Sequence, residues 1–279
     1  MQRGSHALPP AVDFARLCQG DEPGLKATIQ KYGAFKIKNH GISLSAKDRC
    51  FAFSRDFFGQ SCASKRMEPA FSRFEGEKVK ETRIPKESLY VSKNKLYDYP
   101  AVQRLSKELE RITPELLQAI SRTLTLSPSL ESFHSGASDQ LAFHHYPEVP
   151  EALERSPAHR DWSLLTLLMY EDTGRSNGLE IAERPYLRQG GAPANSAKFI
   201  PVNPGRDEIT VLLGNMLPRL AKLHQWEDVR SCLHRVSGFG DRYSIACFIN
   251  AEDDLLLGGD GTTAREHREH WETRSKVQD

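Results

Sequence analysis

The chain has 279 residues, of which 38% are hydrophobic and 27% are charged, so it carries enough apolar material for a sizeable core and is not disordered as a whole. Its 38 Lys and Arg residues nearly balance its 37 Asp and Glu residues, which excludes nucleic-acid or membrane binding driven by net charge. Five widely spaced cysteines without a Cys-x-x-Cys pair predict reduced thiols in a cytoplasmic protein.

The N-terminal half is predicted to be mainly helical. A short helix ends at Gly33, and the alternating run 35–39 then predicts a strand. Residues 71–98 carry many charges of both signs and predict an exposed or mobile segment. From residue 100 to 124 apolar side chains recur every three or four positions, which predicts a long helix with a break near Pro114.

Short β-rich runs follow each other in the second half of the chain. Turn-forming residues separate the runs, which cover 141–146, 164–170, 179–183, 198–202, 208–214, 230–236 and 242–249. Short strands at this spacing, without helices between them, favour an antiparallel sandwich or barrel over βαβ units. We therefore predict a mainly β protein with flanking helices from the N-terminal half, in one domain.

The triplet His159-Arg160-Asp161 is the first candidate for chemistry. In an extended or bulged strand residues i and i+2 project to one side, so His159 and Asp161 can converge on a metal ion. A surface turn with two solvated polar groups is the plainer interpretation of the triplet alone. His234, in a later predicted strand, offers a third ligand, although a histidine satisfied within its strand is also open. Two imidazoles and one carboxylate leave coordination positions free, which suits non-haem Fe(II) oxygen chemistry.

The last predicted strand contains a candidate carboxylate receptor. Arg242 and Ser244 stand at i and i+2 and share one face with Phe248. A guanidinium fork beside a hydroxyl can bind both oxygens of a carboxylate. An exposed Arg and a strand-edge Ser are each common, but the order His-x-Asp, His, Arg-x-Ser is hard to obtain by accident.

These motifs resemble those of the Fe(II)/2-oxoglutarate-dependent oxygenases of the isopenicillin N synthase-like group. The likeness covers most of the chain. The similar blocks are 32–42 (G-F-F-x-V-x-N-H-G-I in the family), 145–147 (N-Y-Y-P), 159–168 (H-x-D-x-x-x-L-T-L-L), 178–181 (G-L-Q-V), 231–236 (S-V-L-H-R-V) and 242–245 (R-Y-S-I). Two positions depart from the pattern: Asn215 follows Gly214 where the family has Asp, and His145 stands in place of its Asn.

The resemblance implies a double-stranded β-helix, or jelly roll, in a single oxygenase domain spanning 1–279. Its parts would be a mainly helical segment with one or more strands (1–130), the jelly-roll core (140–250) and a C-terminal helical tail (251–279). It further implies Fe(II) held by His159, Asp161 and His234. The distal carboxylate of 2-oxoglutarate would be bound by Arg242 and Ser244, with a hydrogen bond from Tyr146.

The implied activity is oxidation of a small organic molecule by O2, with decarboxylation of 2-oxoglutarate to succinate and CO2. Hydroxylation, desaturation and cyclisation are all open, specialised natural-product metabolism is the expected setting, and ascorbate is a candidate further cofactor. One alternative is an Fe(II) oxidase of the same fold that does not use 2-oxoglutarate. The other is a catalytically silent relative that binds a small molecule or a partner. No nucleic acid, membrane or obligate protein partner is predicted.

Four residues are candidates for contact with the substrate. Arg160 and Trp162 flank Asp161, His144 shares a strand face with Tyr146, and Phe248 shares one with Arg242. A packing role for Trp162 is equally open, and a core or surface position is the plainer interpretation of His144.

Two segments are candidate lids, and two further histidine triplets lie near the C-terminus. The segments 71–98 and 184–197 are rich in charge and glycine and are candidate lids. The triplets that begin at His267 and His270 also pair a histidine with a carboxylate, but in a predicted helix residues i and i+2 diverge. We expect a solvated helix there rather than a metal site.

Overall fold

The computed structural model describes residues 8–73, 78–79, 82–83, 86–171, 178–183 and 197–276. The helices in these ranges are α1 (Phe14–Gln19), α2 (Leu25–Tyr32), α3 (Leu44–Phe58), α4 (Cys62–Arg66), α5 (Pro100–Leu124), α6 (Met216–His224) and α7 (Ala264–Lys276). The strands are β1 (Val12–Asp13), β2 (Ala34–Lys38), β3 (Phe71–Arg73), β4 (Lys78–Val79), β5 (Thr82–Arg83), β6 (Glu87–Ser92), β7 (Gln140–Tyr146), β8 (Leu153–His159), β9 (Leu165–Tyr170), β10 (Leu179–Ala182), β11 (Phe199–Pro201), β12 (Ile209–Leu213), β13 (His234–Gly238) and β14 (Arg242–Ile249).

Two sheets form the core of the described structure. The large sheet has the strand order β1-β2-β12-β9-β14-β7-β6-β3, and the small sheet has the order β11-β10-β13-β8. Apart from the parallel pair β1–β2, neighbouring strands are antiparallel. An apolar cluster contains side chains from both sheets and so lies between them. This is a double-stranded β-helix, and the predicted fold class is confirmed.

The two faces of the large sheet have different partners because side chains alternate along each strand. On β7 and β14, Phe143 and Ile245 belong to the cluster that packs under α3 and α5, whereas Ala142 and Ala246 belong to the cluster between the sheets. The helices therefore cover one face of the large sheet and leave the other face to line the interior of the jelly roll.

Helix α5 runs unbroken through Pro114, so the predicted break is wrong. Proline removes one backbone hydrogen bond and crowds the preceding turn, at a cost of about 3 kcal/mol. The buried side chains on both sides of it form one continuous apolar stripe: Leu105, Leu109, Ile112, Leu116 and Ile120. Burial of that stripe holds the helix together across the proline.

The expectation of an exposed or mobile segment over 71–98 is wrong for Glu87–Ser92, whereas Tyr97 further along is 85% exposed. Strand β6 pairs with β7 from Glu87↔His145 to Ser92↔Gln140 inside the large sheet, and β3 pairs with β6. Glu87 is buried because Lys65, also buried, forms an ion pair with it at 2.6 Å. The sequence predicted a solvated segment because the partner of Glu87 is distant in sequence and could not be recognised. This part of the segment belongs to the sheet and is not a lid.

Strand β8 was missed by the sequence analysis, and β13 begins at His234 rather than at residue 230. The sequence of β8, with Pro157 and four charged or polar residues, has little strand character. It lies at the edge of the small sheet, where a proline is tolerated, and pairing with β13 holds it extended. The other six predicted strands are present within two residues of the expected bounds.

The second candidate lid and the predicted division of the domain are not tested by the structure. The candidate lid 184–197 lies outside the described residues except for Ala197. The division into 1–130, 140–250 and 251–279 within one domain stays a prediction. Among the described helices, none has the length and apolar character needed to cross a bilayer.

Candidate metal and co-substrate site

Two histidines face each other where the small sheet meets the loop after β8. His159 ends β8 and His234 begins β13, and the two residues are directly paired. Their ring centres are 4.2 Å apart. Asp161 follows two residues after His159, and the backbone N–H of Asn215 donates to its carbonyl at 2.7 Å. The strand pairing and this loop contact bring the three predicted metal ligands together.

The donor atoms of the three residues converge. Asp161 Oδ1 lies 3.7 Å from His159 Nε2 and 3.6 Å from His234 Nε2. All three ligand atoms lie within 4.8 Å of one another, and no other such group of three is present in the described part of the chain. Two donors can share an ion when their separation is below twice a metal–ligand bond of about 2.1 Å, so both pairs with Asp161 can do so.

The tautomer of His159 is set by its backbone neighbour. Its Nδ1 lies 2.7 Å from the carbonyl oxygen of Pro157, which can only accept, so Nδ1 carries the proton and Nε2 presents a lone pair to Asp161. Desolvation and the adjacent His234 lower the pKa of His159, which keeps the imidazole neutral. Among the described residues no group hydrogen-bonds Nδ1 of buried His234. Two imidazoles and one carboxylate fit Fe(II) with positions left open for other ligands.

Gly214 allows the loop of Asp161 to pack closely. A Cβ atom at this position would lie 1.9 Å from the carbonyl oxygen of Ser163, so only glycine fits. Asn215, which replaces the family's Asp, accepts a 3.5 Å hydrogen bond from Ser231 Oγ through its side chain. The departure at Asn215 therefore preserves a link between the Asp161 loop and the segment that leads to His234.

The three residues predicted to bind a carboxylate also lie together. Arg242 Nη1 donates to Ser244 Oγ at 3.1 Å, and both residues are buried. Tyr146 pairs with Arg242 across β7 and β14, and the guanidinium carbon lies 4.5 Å from its ring centre. The structure thus brings Arg242, Ser244 and Tyr146 into one patch on the interior face of the large sheet.

The candidate substrate residues divide into three groups. Trp162 and Phe248 stack on each other with ring centres 4.5 Å apart. His144 is buried, its Nδ1 lies 2.8 Å from Ser88 Oγ, and burial together with the charges of Lys86 and Arg242 holds its pKa well below the usual value. Arg160 is half-buried between the two candidate ligands in sequence.

His145 lies on the opposite face of β7 from His144 and does not join the site. Its Nδ1 is 3.0 Å from Glu87 Oε2 and its Nε2 is 2.9 Å from Asp241 Oδ1. His145 stands where the family has Asn, and its side chain therefore does not reach the interior face.

Two cations near Tyr146 were missed by the sequence analysis. Arg155 on β8 is 1% exposed, donates to the carbonyl oxygens of Pro147 and Gly240, and lies 5.3 Å from the Tyr146 ring centre. Lys86 Nζ lies 5.6 Å from the same ring centre. Neither residue belongs to a motif, and both stand in stretches that the sequence does not identify as strand.

The C-terminal helix contains no metal site in its described part, but it is not fully solvated. His270 is exposed, whereas His267 is buried, and burial lowers the pKa of His267 to about 4. The expectation of a solvated helix is therefore wrong for the inward face of α7.

Comparison with known proteins gives the family. The model of the 2OG-Fe(II) oxygenase superfamily matches residues 137–251, which include all six residues of the predicted metal and co-substrate sites. The matched segment belongs to this superfamily. This oxygenase is therefore an enzyme whose cofactor is Fe(II) and whose co-substrate is 2-oxoglutarate. Its place in the isopenicillin N synthase-like group stays a prediction.

Relatives extend the likeness beyond the matched segment. A 2-oxoglutarate-Fe(II) type oxidoreductase of Aspergillus fumigatus is 26% identical, with 89% of this chain and 83% of that protein covered. The 2-oxoglutarate-dependent dioxygenase htyE of Aspergillus rugulosus is 26% identical, with 82% and 81% covered. In fold, the oxygenase is similar to a full-length Neurospora crassa protein crystallised in complex with alpha-KG, with a TM-score of 0.74 at 19% identity over 100% of this chain and 98% of that one.

Proposed function

We propose that this oxygenase hydroxylates, desaturates or cyclises a small organic molecule in specialised metabolism, and that 2-oxoglutarate is converted to succinate and CO2. The observation that carries the proposal is the convergence of His159, Asp161 and His234 in a protein that also has a buried Arg242–Ser244 pair. Support for the metabolic setting comes from relatives such as a flavanone 3-dioxygenase of rice, 24% identical over 91% of this chain.

The metal ligands in this proposal are His159, Asp161 and His234. When bound, Fe(II) supplies oxygen activation, which no protein side chain provides. The chain holds the donors in place: strand pairing sets the two histidines opposite each other, and the Pro157 carbonyl fixes the tautomer of His159. The side chain of Asp161 is buried, so its carboxylate is screened little by water.

The co-substrate anchor in this proposal is the patch around Tyr146. Arg242 offers a planar fork and Ser244 a hydroxyl to the distal carboxylate, and Tyr146 adds its phenolic group. Arg155 ties the end of β7 to the turn before β14 through the carbonyls of Pro147 and Gly240. We infer that Arg155 keeps Tyr146 and Arg242 in register for this binding.

The substrate wall in this proposal is formed by Trp162, Phe248, His144 and Arg160. The stacked rings of Trp162 and Phe248 exclude water and present an apolar surface. His144 stays neutral because its pKa is low, so it offers a hydrogen bond without a charge.

All five cysteines are free thiols, which supports the cytoplasmic location predicted from the sequence.

The proposal is tested by co-substrate turnover. Purified protein with Fe(II), O2 and 2-oxoglutarate is assayed for succinate, first alone and then with a panel of small molecules. We expect slow succinate formation alone, faster formation with a substrate, and none with Asp161→Asn. Arg235→Ala, on the outer side of the small sheet, is the control and should retain turnover. Oxygen uptake without succinate would favour the oxidase alternative, and failure to bind iron would favour the silent relative.

A further inference from the structure

Lys86 stands opposite Tyr146 at one end of the large sheet. The pairing of β6 with β7 begins at Glu87↔His145, and Lys86 is one residue further along the same register. On the other side of Tyr146, β7 pairs with β14 through Arg242. Lys86, Tyr146 and Arg242 therefore form one row across three adjacent strands, with the two cations on either side of the phenol.

Both cations approach the same aromatic ring. Lys86 Nζ lies 5.6 Å and the guanidinium carbon of Arg242 lies 4.5 Å from the centre of the Tyr146 ring. Burial opposes ionisation of the phenol, but hydrogen bonds and charges from Lys86 and Arg242 leave the pKa of Tyr146 below its usual value. The field of Lys86 also acts on His144 and His159. Its ammonium thus lies close enough to act on both the Arg242 patch and the candidate metal ligand His159.

The inward direction of Lys86 is set by its neighbour in sequence. Glu87 points to the opposite face, where its carboxylate is held by Lys65 at 2.6 Å and by His145 at 3.0 Å. Because consecutive strand residues alternate between faces, this buried ion pair on one side directs Lys86 to the other. The side chain of Lys86 is therefore directed into the interior of the jelly roll.

Lys86 forms no ion pair with a carboxylate of the described residues, and the groups that favour its charged form are Tyr146, Tyr90 and the candidate metal ligand Asp161. Burial and the Arg242 guanidinium oppose this charge, and an anion held between the two cations would offset that opposition. A ligand carboxylate over Tyr146 would present one oxygen to Arg242 and Ser244 and the other to Lys86.

We propose that Lys86 is a second anchor for the distal carboxylate of 2-oxoglutarate, acting from the side of Tyr146 opposite to Arg242. This role rests on the proposed function. It makes the co-substrate site of this oxygenase a receptor with two cations rather than one. A carboxylate of the prime substrate is the rival occupant, and the experiment separates the two.

The test is an anaerobic titration of the Fe(II)-loaded protein, followed by the visible charge-transfer band that a 2-oxo acid gives when it chelates iron. Two ligands are compared: 2-oxoglutarate, and 2-oxopentanoate, which has the same chain length but no distal carboxylate. The variants are Lys86→Met, Lys86→Gln and Lys86→Arg. Lys222→Met, at an exposed position on α6, is the matched control. Thermal unfolding of each variant checks that it folds.

We expect Lys86→Met and Lys86→Gln to raise the dissociation constant of 2-oxoglutarate about tenfold, the loss of one charge-assisted hydrogen bond. Lys86→Arg should restore most of the affinity, and neither neutral variant should change the affinity for 2-oxopentanoate. Unchanged 2-oxoglutarate affinity would overturn the proposal and leave Lys86 to the prime substrate. Equal weakening of both ligands would also overturn it. A parent protein that binds iron but gives no band with either ligand would instead overturn the proposed function.

Discussion

His159 and His234 are direct partners across the β8–β13 pair, with ring centres 4.2 Å apart and Asp161 Oδ1 within 3.7 Å of both Nε2 atoms. Strand pairing therefore brings together the two histidines of the candidate metal site. Because Asp161 lies in the loop after β8 and takes no part in strand pairing, its substitution should remove the metal without removing the sheet.

The carboxylate of Asp161 should be needed for metal binding and not for folding. We expect Asp161→Asn to weaken Fe(II) binding by at least about a hundredfold, beyond the effect typical of residues that only support a ligand. Asp260→Asn is the control, since Asp260 is exposed and pairs with Arg219 on the surface. Titration with Fe(II) under argon gives the affinities. Equal iron affinity of the two variants would remove Asp161 from the ligand set.

Metal should stabilise the folded protein through the same residues. At a concentration of about a hundred times its dissociation constant, a ligand that binds only the folded state adds about 2.7 kcal/mol. For a chain of this size that corresponds to a rise of the thermal midpoint of about 5 °C. We expect Mn(II), as a stand-in that does not oxidise readily, to produce this rise in the parent and none in His234→Ala. A rise in the variant would place the bound metal elsewhere.

Arg155 should stabilise the end of the large sheet that contains Tyr146 and Arg242. Its removal leaves the carbonyls of Pro147 and Gly240 without their buried donor. We expect Arg155→Met to lower the free energy of unfolding by about 3 kcal/mol and to weaken 2-oxoglutarate binding. Arg265→Met, which breaks a half-exposed pair with Asp253, should cost less than about 1 kcal/mol. Urea unfolding of both variants measures the difference, and similar costs would contradict the assignment.

The docking of α7 should weaken in acid. Burial and the neighbouring Arg219 lower the pKa of His267 to about 4, against an ordinary value near 6.5. Between these two pH values the unfolded chain binds a proton at His267 that the folded chain does not bind. The free energy of unfolding is therefore unaffected above about pH 6.5 and falls between about pH 6.5 and pH 4, by up to about 3 kcal/mol. His267→Leu should flatten this part of the curve of unfolding free energy against pH, measured by urea titration of metal-free protein. An unchanged slope would show that His267 is not responsible.

Much of the site could be predicted because it depends on strand parity. Alternation along β14 placed Arg242, Ser244 and Phe248 on one face, and alternation along β7 placed His144 with Tyr146; the structure has both arrangements. Local rules suffice where a motif lies within one regular strand.

What could not be predicted depends on partners distant in sequence. Glu87 and Lys65 are buried as a pair, and this pairing lets the charged start of β6 join the sheet next to Lys86. Arg155 lies in β8, whose polar and proline-containing sequence becomes a strand only by pairing with β13. Pattern-based prediction assigns such residues to the surface because it cannot see the partner that satisfies them.

The most direct test of the central claim is anaerobic addition of Fe(II) and then 2-oxoglutarate to the metal-free protein, with the parent, Arg242→Ala and Arg235→Ala measured side by side. We expect the weak visible band of the iron-bound 2-oxo acid in the parent and in Arg235→Ala. Arg242→Ala should need about ten to a hundred times more 2-oxoglutarate, because one charged hydrogen-bonding partner is lost. Iron binding without the band, or equal affinities in all three proteins, would contradict the assignment of this patch as the co-substrate site.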